Sequence, residues 1–275
     1  MRPLRPVCAV SIAMSDSGGG AGIQADLLTF AAHGVYGATV IVAATAQNTR
    51  EIRAVEALST SILRRQIDAV FSDLRPRAVK IGALFDASRI RTVARALKRW
   101  GAKNIVLDPV MTAKTGRRLL SRAAVSSLKK YLLPLCDLVT PNLPEAEALA
   151  GIRIRNEGDR RLAARRIAGL GPKAVLIKGG HGRGSRLSDL LFDGRAFITF
   201  ATLRIATRAT HGTGCTLSSA IAANLALGRG LEESVERAIR YLRAGLRRGL
   251  FPGKGYGVPD HFPNHPEKKR KSSLK

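Results

Sequence analysis

The residues best suited to chemistry run Thr210-His211-Gly212-Thr213-Gly214-Cys215-Thr216, and a helix-forming stretch from Leu217 to Leu225 follows at once. Two glycines bracket a threonine, and a nucleophilic or basic side chain, Cys215, falls in the first turn of the predicted helix. That arrangement aims several backbone N–H groups and the positive end of a helix dipole at one point. An anion would be held there beside the Cys215 sulfur, and the dipole would lower the thiol pKa. Taken alone, the same residues also describe an ordinary glycine-rich loop before a helix, since Gly, Thr and Ser commonly start helices.

Other polar segments accompany this one. Ser15 to Gly22 holds three consecutive glycines, Gly18 to Gly20, where backbone can approach a ligand closely, and Asp26 lies in the first turns of the helix that follows. Gln47, within Thr45-Ala46-Gln47-Asn48-Thr49, carries both a donor and an acceptor and is suited to reading the edge of a heteroaromatic ring. Asp108 follows one apolar run, and Asn142-Leu143-Pro144-Glu145 follows another. An Asp, an Asn and a Glu at strand ends suit Mg²⁺, usually through waters, beside nucleotide phosphates. Asn142 and Glu145 are equally suited to capping a helix that starts at Pro144. Lys178, before two glycines, is suited to reaching a phosphate as a point charge. No Walker A sequence is present, and the Gly180/Gly182/Gly184 spacing is only a near-miss of the dinucleotide fingerprint.

The elements that must position these residues alternate. Strands are expected at Val7–Ala13, Ala38–Ala44, Ala78–Ile81, Asn104–Leu107, Leu138–Thr140 and Ala174–Ile177. A hairpin around Asp193-Gly194 joins Leu190–Phe192 to Ala196–Phe200. Helices are expected at Gly22–Ala32, Ser59–Leu74, Ala87–Trp100, about Cys215–Leu227 and Leu231–Leu250. This order predicts α/β architecture with a mostly parallel sheet and crossover helices. The polar segments then fall beyond the carboxyl ends of strands, where ligands bind in such sheets.

Composition bounds the rest. The 275 residues are 45% hydrophobic, enough for a sizeable core, and one domain over 1–265 is the expected count, with 266–275 a basic disordered tail. No apolar run approaches the roughly 18 to 20 residues that span a bilayer, so no membrane partner is expected. Cys8, Cys136 and Cys215 are an odd number without metal-ligand spacing, which suits a reduced cytoplasmic compartment. Net charge is +26, a value that raises nucleic acid as a partner. The arginines are scattered over most predicted helices and aromatics are only 5%, leaving little for base stacking and favouring small anionic metabolites instead.

Six segments in order, GGAGIQADL (19–27), TAQNT (45–49), DPVM with AKTG (108–116), TPN with PEAEAL (140–149), IKGGH (177–181) and THGTGCTLSSAIAA (210–223), resemble the hydroxymethylpyrimidine/phosphomethylpyrimidine kinases of thiamine biosynthesis, members of the ribokinase-like superfamily. The resemblance covers nearly the whole chain up to about Arg248. It implies a three-layer α/β/α sandwich and ATP-dependent phosphorylation, in the presence of Mg²⁺, of 4-amino-5-hydroxymethyl-2-methylpyrimidine and then of its monophosphate. By the same resemblance Gly212, Thr213 and Gly214 form the anion hole and Cys215 is the catalytic base. Gln47, Asp26, Gly22 and Val110 fall on the substrate side. Lys178, Asp108 and Thr213 fall on the ATP side, with Asp108, Asn142 and Glu145 around the metal. Met14, Ala83 and Ala206 depart from the usual residues, and Ala83 is expected to loosen the pyrimidine wall. Two alternatives stand beside this reading: phosphorylation of a pyridoxal-type alcohol, and a non-enzymatic nucleic-acid-binding relative. A homodimer is compatible with the sequence.

Overall fold

Strand β1 (Cys8–Asp16) sits inside the sheet of the computed structural model, which describes residues 5–112, 116, 119–180 and 184–263. It pairs in parallel with β2 (Tyr36–Gln47) on one side and β4 (Ala78–Ile81) on the other. β5 (Ile105–Leu107), β6 (Leu138–Val139) and β7 (Ala174–Ile177) continue the parallel series. Antiparallel strands close both edges, β3 (Ile52–Ala57) beside β2 and the hairpin β8 (Arg186–Phe192) and β9 (Phe197–Leu203) beside β7. The spatial order is β3-β2-β1-β4-β5-β6-β7-β8-β9. The chain therefore leaves β1 toward one edge, returns through β4, and then builds toward the other. That reversal opens a crevice between neighbouring crossovers at the strand ends.

Alternation along the strands makes two cores, because successive side chains point to opposite faces. Val10, Ile12, Val79, Ile81, Ile105 and Leu107 pack under α2 (Thr60–Asp73), α3 (Ala87–Arg99), α4 (Arg122–Ser127), α5 (Leu143–Ala150) and α6 (Glu157–Ala168). Ala9, Ala78, Val106, Leu138 and Leu176 face α1 (Gly22–Ala32), α7 (Thr213–Ala226) and α8 (Leu231–Arg248). With helices over both faces, strands such as Ala78–Ile81 are buried at every position, hence their unbroken apolar character apart from Lys80. The expected three-layer α/β/α sandwich is what the chain forms.

Several elements go beyond the sequence expectation. β1 and β2 run three residues further, to Asp16 and Gln47, and so carry polar residues to the rim. β3, α4 and α6 had no counterpart. α6 has its signals, with the Asn156 side chain accepting the Asp159 N–H at 2.9 Å, two acids in its first turn and two arginines in its last. Its buried face, however, is Ala163, Ala164 and Ile167 with Arg160, too small a stripe to read as amphipathic. After α8 the chain folds back toward the site. Leu250 pairs with Val258, the Gly255 N–H donates to Thr49 Oγ1 at 3.0 Å, and the His211 N–H donates to the Gly257 carbonyl at 3.0 Å. The basic tail 266–275 lies outside the described residues. Among the described residues, no helix is long and apolar enough to cross a membrane.

Candidate active site

A cavity of about 1130 Å³ opens over the carboxyl ends of the parallel strands, and Gln47, Asp108, Val110, Lys178 and Gly212 to Cys215 line it. α7 begins at its wall. Gly212 is the N-cap with φ 77°, and an added Cβ would run into the Gly20 carbonyl, so glycine is required twice over. The Thr216 N–H already bonds the Gly212 carbonyl at 2.9 Å. That leaves the N–H groups of Thr213, Gly214 and Cys215 without an intrahelical acceptor. Gly214 is wedged against the acidic and basic groups opposite: a Cβ there would stand 3.0 Å from Asp108 Oδ2 and 3.4 Å from Lys178 Nζ. The helix terminus, Asp108 and Lys178 thus share one corner, which holds a polyanion by charge and by N–H donors.

The state of Cys215 corrects the sequence expectation. Its thiol is pushed up to about 11, chiefly by burial. Lys80 opposes this, Asp26 and Asp108 add to it, and a hydrogen bond from the Gly22 backbone also lowers it. Desolvation of the thiolate is the largest influence on it.

Lys178 Nζ donates to Asp108 Oδ1 at 2.7 Å, and Thr140 Oγ1 donates to the same oxygen at 3.4 Å. Asp108 Oδ2 accepts nothing among the described residues. Asn142 and Glu145 are differently employed. Asn142 Oδ1 accepts the Glu145 N–H at 2.9 Å and Glu145 Oε2 accepts the Asn142 N–H at 2.8 Å, a reciprocal cap on α5. Glu145 Oε1 faces the Met111 N–H at 3.4 Å. Burial raises the Glu145 carboxyl to about 7, Lys178 works against that, and Asp108 adds to it. The expected metal set of Asp108, Asn142 and Glu145 is not presented as three open ligands; of the three, Asp108 has the free oxygen. Among the described residues no group of three His, Cys, Asp or Glu side chains is arranged to hold a metal. The cap is testable by itself: Asn142→Ala should cost about 1 kcal/mol of stability in denaturant unfolding. A loss indistinguishable from zero would mean that the α5 cap is ornamental.

Gln47 reaches the cavity at the end of β2, close to His211 and Thr45. Val110 lines the wall after β5, its N–H donating to the Asp108 carbonyl at 2.8 Å. Gly22, at φ 59°, packs where a Cβ would meet the Met14 carbonyl. Met14 itself is nearly buried, and Ala83 lines the cavity as a small residue.

Asp26 is the second correction. It is fully buried and does not reach the cavity wall. Its Oδ1 accepts from Lys80 Nζ at 2.8 Å and Ser219 Oγ at 2.6 Å, while Oδ2 accepts from Lys80 Nζ at 2.8 Å and Ser11 Oγ at 2.5 Å. Every lone pair that could have met a substrate is engaged. Lys80, itself fully buried, lies behind the cavity wall beside it, and it was not among the candidate residues. Burial works to lower its ammonium, yet Asp26, with Cys215 and Asp108, holds it above its ordinary value. A lysine inside the apolar strand Ala78-Val79-Lys80-Ile81 was the available signal. Asp16 and His211 were missed as well. Asp16 is buried, and its carboxylate ties down the glycine loop by accepting the N–H groups of Gly18, Gly20 and Ala21.

A mostly parallel sheet, helices over both faces, and a helix terminus meeting a lysine and an aspartate at the strand ends define a ribokinase-like architecture. Residues 16–260 match the sequence model of phosphomethylpyrimidine kinase, and the chain belongs to that family. It is 51% identical over 257 residues to the hydroxymethylpyrimidine/phosphomethylpyrimidine kinase of Rhizobium meliloti, covering 92% of this chain and 96% of that one. It is 48% identical over 253 residues to the thiamine biosynthesis bifunctional protein ThiED of Geobacter sulfurreducens, where 92% of this chain spans about half, 52%, of the longer protein. Among solved structures, the Bacillus subtilis pyridoxal kinase determined as an ADP complex superposes with a TM-score of 0.87 at 33% identity, over 93% of this chain and 97% of that one.

Proposed function

We propose that this chain phosphorylates the hydroxymethyl group of 4-amino-5-hydroxymethyl-2-methylpyrimidine at the expense of ATP, and then phosphorylates the resulting monophosphate. The observation that carries the reading is the single corner in which the α7 N-terminus, Lys178 and Asp108 meet beside the Cys215 sulfur. Phosphoryl transfer asks for positioning and neutralisation of charge more than for covalent work. Here the N–H groups of Thr213, Gly214 and Cys215 take the anionic oxygens, Lys178 neutralises phosphate charge, and Cys215 receives the alcohol proton. Asp108 Oδ2 fits a Mg²⁺ that completes its shell with water and phosphate oxygens, and the ion would supply further charge neutralisation. Gln47 and Val110 face the pyrimidine.

A coupled ATPase assay with the alcohol and with its monophosphate tests this directly. Turnover dependent on each substrate is expected; ATP turnover indifferent to both would sink it. Gln47→Leu should then weaken the pyrimidine alone, by about 1 to 3 kcal/mol, because buried ligand polar atoms lose their partner. Equal weakening of ATP would assign Gln47 to the fold instead.

Pyridoxal is the second reading, favoured by the likeness to the B. subtilis pyridoxal kinase and by the small Ala83 side chain in the wall. Comparing kcat/KM for the two alcohols separates the readings, and a higher value for pyridoxal would reverse their order.

A further inference from the structure

The side chains of Asp16, Thr45, Gln47 and His211 meet at one edge of the cavity. His211 Nε2 stands 3.1 Å from Asp16 Oδ2 and 3.3 Å from the Gln47 amide atom placed as Nε2. The amide atom placed as Oε1 lies 3.4 Å from Thr45 Oγ1, and the partners of both ends require the two to be exchanged. Thr45 Oγ1 is also 2.9 Å from the Ser15 carbonyl, which only accepts.

The two ends of a glutamine amide have the same shape, so their partners decide which end points where. Thr45 has one hydroxyl hydrogen, and its nearer acceptor is the Ser15 carbonyl. With that hydrogen spent, Thr45 Oγ1 is left as an acceptor, and its best partner on Gln47 is the NH₂. The same logic runs from the other side. A bare His211 Nε2 would set its lone pair against the Asp16 carboxylate, so Nε2 carries the hydrogen. An NH₂ of Gln47 turned toward that N–H would place two donors face to face. The amide oxygen belongs there instead, and both ends of the network agree.

The dyad is itself held. Asp16 Oδ2 accepts the Gly20 and Ala21 N–H groups at 3.2 and 2.9 Å. The His211 ring lies against Gly20, where any side chain would collide with it. Its backbone N–H is tied to the Gly257 carbonyl. The ring therefore has little freedom to turn and present a different atom.

We propose that Asp16 and His211 are positioning residues that lock the Gln47 amide with its carbonyl beside His211 and its NH₂ beside Thr45. This rests on Gln47 being the residue that reads the substrate edge. The cavity then offers an acceptor on the His211 side and a donor on the Thr45 side. An aminopyrimidine must place its exocyclic amino group toward His211 and its ring nitrogen toward Thr45, and the reversed placement is rejected.

Two measurements test this. In the wild-type protein, ¹⁵N NMR of His211 should show Nε2 carrying hydrogen; a bare Nε2 with hydrogen on Nδ1 alone overturns the lock. In kinetics, His211→Phe should raise KM for the pyrimidine alcohol about tenfold, the order expected for one lost hydrogen bond, with a much smaller change in KM for ATP. In a Gln47→Leu background the same change should add nothing further to KM. His211→Gln, whose amide nitrogen can reach the place of Nε2, should recover most of the loss. A His211→Phe effect that persists undiminished in the Gln47→Leu background, or that falls equally on ATP, overturns the proposal. If the wild-type protein turns over no pyrimidine alcohol, the substrate reading fails, while the NMR result still decides the His211 geometry.

Discussion

Replacing Cys215 with alanine is expected to slow turnover by about 10²- to 10⁴-fold, the usual penalty for removing a general base. The substrate and ATP should still bind, because the N–H donors at the start of α7 belong to the backbone and survive the change. The pH dependence is the sharper observable. Burial holds the Cys215 thiol at about 11, so near neutral pH nearly all of it is protonated. Only the deprotonated fraction can accept the alcohol proton. Below the thiol pKa that fraction grows about tenfold per pH unit, so kcat/KM should climb steadily from pH 7 to 9 with no plateau. The sign follows from which form acts: a base works when unprotonated, hence activity rises with pH. Cys215→Ala should flatten the climb. A wild-type profile already level over pH 7 to 9, or an alanine variant with near-wild-type turnover, would remove Cys215 from the proton transfer.

The site was legible where function is written in backbone-permissive or charged residues at strand ends. Gly212 and Gly214 were readable because the loop demands a positive φ at one and close approach of Asp108 and Lys178 at the other. Lys178 and Asp108 were readable because each ends an apolar run, before Gly179 and Pro109, at the strand ends where ligands bind in parallel sheets. Spacing alone could not tell a ligand from a cap. Asn142 and Glu145 were equally suited to both, and the structure employs them as the cap. Nor could spacing show that Asp26 faces inward. The buried face of α1 is Ile23, Ala25, Asp26, Thr29 and Phe30, with the aspartate among the apolar side chains. An apolar period count passes over a buried aspartate because it scores Asp as solvent-facing. Ile62 in α2 and Leu74 at its C-terminal cap are large apolar side chains that the fold nonetheless leaves exposed. Cys215 shows a different limit. The helix dipole is visible in sequence, but desolvation depends on what packs over the sulfur, and that is a tertiary quantity.

Lys80→Met should cost about 3 to 5 kcal/mol of folding stability, a large part of the roughly 5 to 15 kcal/mol that holds a typical domain together. Both side chains of the Lys80–Asp26 pair are fully inaccessible to solvent. Methionine fills most of the lysine volume, so the loss comes from Asp26, left with two serine hydroxyls and no counter-charge. The companion experiment is Lys80→Met with Asp26→Leu. Removing both charges spares the molecule their desolvation, and buried pairs replaced by apolar groups are often close to neutral. The double variant should therefore be more stable than Lys80→Met alone in denaturant unfolding, despite carrying one more substitution. The pair also bears on chemistry through geometry. Ser219, which donates to Asp26, lies one turn beyond Cys215 on α7, so the ion pair packs against the same helix face as the thiol. Since Lys80 is the largest influence lowering the Cys215 thiol, its loss should move the pH dependence of Cys215 alkylation upward. A single variant within about 1 kcal/mol of wild type would show that the pair contributes far less than its burial implies. An unmoved alkylation profile would confine Lys80 to the fold.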